Sequence, residues 1–128
     1  MNPYGDRIQE HYRHPRNYGR LEAADVRHED VNPFCGDRVR IELALGDGDI
    51  VREARFQGDL CMIAKAATSM LTEMIAGSTL DDVAALPDQR MLDALGAEIQ
   101  PARLNCALLG LRVLRAGIDA WRKSSGRL

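Results

Sequence analysis

Hydrophobic and polar positions change their period along this chain, and the changes divide it into elements. Between Arg38 and Leu45, the apolar Val39, Ile41, Leu43 and Leu45 alternate with Arg38, Arg40, Glu42 and Ala44. That is the period of a strand with one buried face. The cluster Gly46-Asp47-Gly48-Asp49 predicts a hairpin turn. A return strand over residues 50–57 then places Ile50, Ala54 and Phe56 on one face, with the alternation broken at Arg52. From Cys61 the period becomes helical. Ile63, Ala67, Met70, Leu71, Met74 and Ile75 share a face, Met70 and Met74 read as core, and Gly77 is a natural stop. Ser78 or Thr79 caps a short helix through Leu86, ended by Pro87, and Met91, Leu92 and Leu95 predict another helical turn before Gly96. The last element is the longest: Leu104, Leu108, Leu111, Leu114, Ile118 and Trp121 step by three or four residues over about five turns. Arg112, Arg115, Asp119 and Arg122 occupy its wet side.

The pattern is weaker ahead of the hairpin. Residues 2–12 predict a short amphipathic helix with Asn2 as cap, Pro3 in the first position and a stripe of Tyr4, Ile8 and Tyr12. Pro15 and Gly19 end it. The charged stretch from Leu21 to Val31 reads as an edge strand. Together these elements predict an α+β architecture, a small antiparallel sheet of two or three strands with several helices packed on one face.

Composition narrows the function classes. With 45% hydrophobic and 28% charged residues, the 128-residue chain reads as one globular domain, 1–128, large enough to bury a core without disulfides. A formal net charge of -2 supplies no basic field, so no nucleic-acid partner is expected. No apolar run approaches the roughly 20 residues that a membrane helix needs, and the polar N-terminus lacks the apolar region of a signal peptide. No membrane association is expected, and the expected location is cytoplasmic, where thiols stay reduced. Three cysteines would leave one over from a disulfide framework, so metal binding or thiol chemistry is the better reading.

The candidate chemistry gathers at Asn32-Pro33-Phe34-Cys35-Gly36-Asp37, where a thiol and a carboxylate stand two residues apart in a loop shaped by proline and glycine. Cys35 precedes the first hairpin strand, Cys61 follows the second, and hairpin geometry brings those two ends together. Cys106 opens the last helix and joins them if that helix starts at the same end of the sheet. Cys61 and Cys106 then lie near helix N-termini, where backbone N–H groups and the helix dipole favour thiolate. Asp37 would complete a set of three thiolates and one carboxylate, which suits tetrahedral zinc or an iron–sulfur cluster. A carboxylate is a weaker ligand than a thiolate, and a cluster held through one is easier to give up. Arg103, three residues before Cys106, stands where its charge can offset thiolate or sulfide. Plainer readings remain open. Isolated cysteines are often buried hydrophobes, the chain has no C-x-x-C pair, and Asp37 can serve as a turn residue. His11, His14 and His28 read as solvated or core-edge residues. None lies near a cysteine in sequence, as a thiol hydrolase would need.

Four motifs carry a family resemblance. His11-Tyr12 with Pro15-Arg16-Asn17 and Gly19, then Asn32-Pro33-Phe34-Cys35-Gly36-Asp37, then Gly58-Asp59-Leu60-Cys61-Met62-Ile63 with Ala66 and Ser69, and finally Ala102-Arg103-Leu104-Asn105-Cys106-Ala107 with Leu109 follow in order along nearly the whole chain. The sequence resembles the IscU/SufU/NifU-type iron–sulfur cluster assembly scaffolds, specifically the NifU N-terminal-like domain. The resemblance implies a SufE/NifU-like α+β fold, a three-stranded antiparallel sheet with about five helices on one face. It implies Cys35, Cys61 and Cys106 as sulfur acceptors and cluster ligands, with Asp37 as the fourth ligand. In such a scaffold a PLP-dependent cysteine desulfurase supplies persulfide sulfur and iron joins. A transient [2Fe–2S] cluster forms and passes to apo iron–sulfur proteins. Zn2+ binds the same site in the family. The alternative it carries is a SufU-like zinc-dependent sulfurtransferase that activates a cysteine desulfurase, and a structural zinc module is a third reading. The scaffold reading is of a carrier and not an enzyme; sulfurtransferase activity belongs to the SufU-like one. Some positions depart from the pattern. Ile99-Gln100-Pro101-Ala102-Arg103 stands where IscU proteins carry Leu-Pro-Pro-Val-Lys, so the IscU-type chaperone is not an expected partner. Asn105 replaces the histidine or lysine before the last cysteine, and Leu60 replaces a glycine. Arg103 is SufU-like, yet the long insertion of SufU between its second and third cysteines is missing.

Overall fold

The computed structural model describes residues 5–33 and 36–126. In order they form α1 (Gly5–Arg13), β1 (Val26–Val31), β2 (Arg38–Leu45), β3 (Val51–Asp59), α2 (Met62–Ile75), α3 (Leu80–Ala84), α4 (Asp88–Ala94) and α5 (Leu104–Ser124), with 3-10 turns at Asp47–Asp49 and Pro101–Arg103. The strands make one antiparallel sheet in the order β1-β2-β3. α2 and α5 pack on it, α1 lies against α2, and α3 and α4 lie against α5. This is the α+β layering that the hydrophobic pattern predicts.

Register explains which side chains enter the core. Leu43 stands opposite Val26 and Ala54, and Ile41 opposite His28 and Phe56, so the inner face is a block of apolar rungs. The return strand corrects the sequence reading at one place. Ala44 faces Glu53 and Leu45 faces Val51, which leaves Arg52 as an extra residue in β3. This bulge shifts the alternation by one. Val51 takes the buried position expected for Ile50, and Ile50 is 40% exposed.

The first helix also differs in detail. It begins at Gly5, and Asn2, Pro3 and Tyr4 lie outside the described residues. Ile8 and His11 form its buried side, whereas Tyr12 is 37% exposed. His11 is inside because it has a partner there. Its Nδ1 is 2.8 Å from Ser69 Oγ, which also accepts from the Arg16 amide at 2.8 Å. Burial, and then the nearby Arg16 charge, lower the His11 pKa. Asn17, held at a φ of 59°, donates to Thr72 Oγ1 and accepts from Arg55 Nη1. The segment after α1 is thereby buckled to α2 and β3 together.

Two glycines set the line of α5. A Cβ at Gly110 would lie 2.5 Å from Thr68 Oγ1 of α2, and one at Gly117 would lie 2.8 Å from the His28 Cβ of β1. Seven residues apart, they share the helix face that meets α2 and β1. Their missing side chains let α5 lie close enough to bring its first turn to the end of the sheet.

On the opposite sheet face one charge is buried. Glu42, expected on the wet side of β2, is 1% exposed. It accepts from the Leu21 amide at 2.8 Å, Arg27 Nε at 2.7 Å and Arg40 Nε and Nη2 at 3.2 Å. Burial alone would raise its pKa. These hydrogen bonds and the Arg40 charge outweigh that effect and hold it below the ordinary carboxylate value. The stabilisation is therefore complete above the unfolded-state pKa and is lost as pH falls through the folded one. Glu42→Gln should lower unfolding free energy at pH 7 by about 1–3 kcal/mol. In urea titrations at descending pH, the gap between variant and parent should shrink as the parent carboxylate protonates.

Candidate metal centre

Asp37 is placed by the turn that precedes β2. The Asn32 amide donates to the Asp37 carbonyl at 2.7 Å, and the Gly36 amide donates to the Asn32 carbonyl at 2.8 Å. Gly36 has a φ of 75°, a left-handed conformation that a side chain would strain. The turn leaves Asp37 only 8% exposed, its carboxylate reaching across the open end of the hairpin to the residues that follow β3. There its Oδ1 accepts from the Cys61 amide at 3.2 Å. Gly58 permits that closure. A Cβ at Gly58 would fall 2.0 Å from the Arg38 carbonyl oxygen, so only glycine allows β3 to run this close to β2 beside the site.

Cys61 is the N-cap of α2, and its Sγ accepts from the Ala64 amide at 3.4 Å. The cap satisfies an otherwise orphaned helix N–H. Cys106 lies in the first turn of α5, 4% exposed. The ligand atoms of Asp37, Cys61 and Cys106 all lie within 4.8 Å of one another. The Arg103 guanidinium stands beside Cys61 and Cys106, and these two neighbours, Cys61 foremost, hold its pKa further above its ordinary value. A cavity of about 380 Å³ opens over the group, lined also by Asn32, Ala102 and Asn105.

The arrangement fits a metal ion on chemical grounds. Asp37 Oδ2 is buried with no hydrogen-bond partner among the described residues. A buried carboxylate oxygen left unpaired is costly, and a cation within reach removes the cost. Two sulfurs and that oxygen form a donor set suited to Zn2+ or iron.

The structure thus brings together Asp37, Cys61, Cys106 and Arg103 as the sequence suggested, while Cys35 lies outside the described residues. None of His11, His14 and His28 belongs to the group. Asn32 and Asn105, both within the sequence motifs, line the cavity. Nothing in the sequence signalled that Lys65 of α2 stands over the rings of both Tyr12 and Tyr18. Hydrophobic periodicity carries no signal for that contact.

A hairpin end and two helix N-termini converge on two thiols and a carboxylate spaced closely enough to hold a metal ion, in a protein of α+β fold. The model of the NifU-like N terminal domain matches residues 3–127, and the chain belongs to that family. It is 35% identical to the zinc-dependent sulfurtransferase SufU of Bacillus subtilis, over 90% of this chain and 88% of that protein. It is 28% identical to the iron–sulfur cluster assembly scaffold protein IscU of Azotobacter vinelandii, over 96% of this chain and 97% of that one. The fold is similar to that of a NifU-like N-terminal protein from Brucella abortus, with a TM-score of 0.77 at 22% identity over 94% of this chain and 95% of that one. No helix among the described residues is long and apolar enough to cross a membrane.

The Gly58 contact makes a test of how the hairpin positions the site. Gly58→Ala should cost about 1–3 kcal/mol in chemical unfolding and weaken Co2+ binding followed by thiolate-to-metal absorption. Gly46→Ala is the control at the other end of the hairpin, because a Cβ there meets only the Ile50 carbonyl at 3.9 Å. It should leave Co2+ binding unchanged.

Proposed function

We propose that the chain is an iron–sulfur cluster assembly scaffold. It accepts sulfur from the persulfide of a cysteine desulfurase, an added thiol reductant supplies the two electrons that turn each sulfane sulfur into sulfide and is itself oxidised to disulfide, and iron and sulfide are assembled on Cys35, Cys61 and Cys106 with Asp37. The [2Fe–2S] cluster is cargo that leaves for apo iron–sulfur proteins. The observation that carries the reading is the orphaned Asp37 Oδ2 beside two clustered thiols. The site offers a labile carboxylate where a permanent cluster site would offer a fourth thiolate. The position of Cys35 in the Asn-Pro-x-Cys-Gly-Asp motif supports its inclusion.

Sulfur delivery needs no outside oxidant. A thiolate of the site attacks the terminal sulfur of the donor's persulfide. A new S–S bond forms as the donor's S–S bond breaks, and the donor thiolate leaves with the electron pair. Arg103 serves this step by placing a positive charge beside both sulfurs, where it offsets the negative charge carried by the attacking and leaving sulfur. Of the two described thiols, Cys61 is the more exposed and the easier to reach.

The Arg103 contacts and the likeness to the Bacillus subtilis sulfurtransferase also support a second reading, a zinc-dependent sulfurtransferase. Zn2+ held by Cys61, Cys106 and Asp37 would supply Lewis-acid stabilisation of the thiolates.

Anaerobic incubation with ferrous iron, cysteine and the host's cysteine desulfurase separates the two. For a scaffold, a [2Fe–2S]-type absorption spectrum should grow and an added apo-ferredoxin should become active. Asp37→Cys, with its stronger fourth ligand, should slow transfer by roughly tenfold or more. If no cluster grows while the desulfurase turns over faster and stoichiometric zinc stays bound, the sulfurtransferase reading replaces the scaffold.

A further inference from the structure

We propose that Lys65, held between Tyr12 and Tyr18, is the point at which the sulfur-donating protein docks, by presenting a carboxylate to its ammonium beside the thiol site. The inference rests on the sulfur-acceptor reading above and assigns a surface to it.

The geometry is specific. Lys65 Nζ lies 4.9 Å from the Tyr18 ring centroid and 5.5 Å from that of Tyr12. Both distances are within the range of cation–π attraction. The rings come from different segments, Tyr12 from α1 and Tyr18 from the stretch that runs along β3, and both are fixed. Tyr18 stacks edge-on against the fully buried Phe56, centroids 5.1 Å apart, and its hydroxyl donates to the Gly58 carbonyl at 3.3 Å. Tyr12 sits on a helix locked to α2 by Ile8 and by the His11–Ser69 hydrogen bond. The ammonium is therefore preorganised on an aromatic bed, and a partner that meets it loses little side-chain entropy on binding.

The surface is open and unneutralised. Tyr12 and Tyr18 are 37% and 44% exposed, two of the four exposed large hydrophobic residues among those described. Lys65 makes no ion pair with a described residue, whereas Arg16, Arg27, Arg40, Arg55, Arg115, Arg122 and Lys123 all do. A cation between two aromatic rings, without an acid of its own, is matched by a carboxylate brought by another molecule. Exposed tyrosines around such a charge form the kind of compact anchor on which interface energy concentrates.

Position supplies the occupant. Lys65 is one helical turn beyond Cys61, its amide donating to the Cys61 carbonyl at 2.9 Å. A protein that hands sulfur to these thiols must cover this turn. Arg103 lines the cavity over the thiols, so a donor that reaches Cys61 meets one positive charge at the cavity and a second, one helical turn along α2.

The test is calorimetric titration of the full chain with the host's PLP-loaded cysteine desulfurase, repeated at several salt concentrations. Lys65→Met, which retains the stem between the rings, should bind roughly tenfold more weakly with a flatter salt dependence. Lys65→Glu should bind weaker still, and Lys65→Arg should restore binding. In desulfurase assays the half-saturating concentration of Lys65→Met should rise while the maximal stimulation stays, because docking is lost and chemistry is not. Thermal unfolding of each variant confirms that the fold is intact. If the parent protein binds no desulfurase, the sulfur-acceptor reading itself falls. If the parent binds and Lys65→Met and Lys65→Glu bind as well as it does, the docking assignment alone is overturned.

Discussion

One hydrogen bond, from the Cys61 amide to Asp37 Oδ1, ties the start of the β2–β3 hairpin to its end and to the first turn of α2. The rest of the site depends on it. The bond occupies one carboxylate oxygen with a backbone donor of the kind that helix starts leave unsatisfied, and it fixes the direction of the other. Oδ2 is thereby turned into a buried position that offers it no protein partner among the described residues. The fold thus holds a local imbalance, a desolvated oxygen beside two sulfurs and a guanidinium, that a bound cation would offset.

The two thiols reach this carboxylate by independent routes. Cys61 arrives through hairpin pairing, which Gly58 permits by letting the strands approach beside the turn. Cys106 arrives through helix packing, because Gly110 and Gly117 let α5 lie against Thr68 and His28. Three missing side chains thus determine where two sulfurs stand. Interiors packed to this density pass a displaced backbone on to their neighbours, so each of these glycines bears on the site without touching it.

The sheet, the buried face of Val39, Ile41 and Leu43, the cap at Thr79 and the long last helix were legible because each leaves a periodic or punctuated mark on the sequence. Thr79, expected as a cap, does accept from the Asp82 amide. The Asp37–Cys61–Cys106 grouping was legible from hairpin topology together with the motifs, and Cys35 falls where the structure describes nothing. What stayed hidden were contacts between side chains far apart in the chain. Burial of Glu42 depends on the Leu21 amide and Arg27 arriving over the sheet, which no pattern within β2 announces. His11 is interior because of Ser69, 58 residues away. The shift from Ile50 to Val51 follows from one extra residue at Arg52, a place where the alternation visibly fails without saying which way it will resume.

The stretch that buries Glu42 has a further effect at the margins of the sheet. Before crossing that face it runs beside β3, where the Gly19 amide donates to the Phe56 carbonyl and the Phe56 amide to that of Asn17. One border of the sheet is therefore partly sealed by the protein's own backbone. The other border, β1, carries exposed Arg27, Glu29 and Asp30 in a six-residue strand, and short, charged borders resist pairing with strands of other molecules. The sheet is thus guarded on both borders against a common unwanted contact, the accretion of foreign strands into fibrous aggregates.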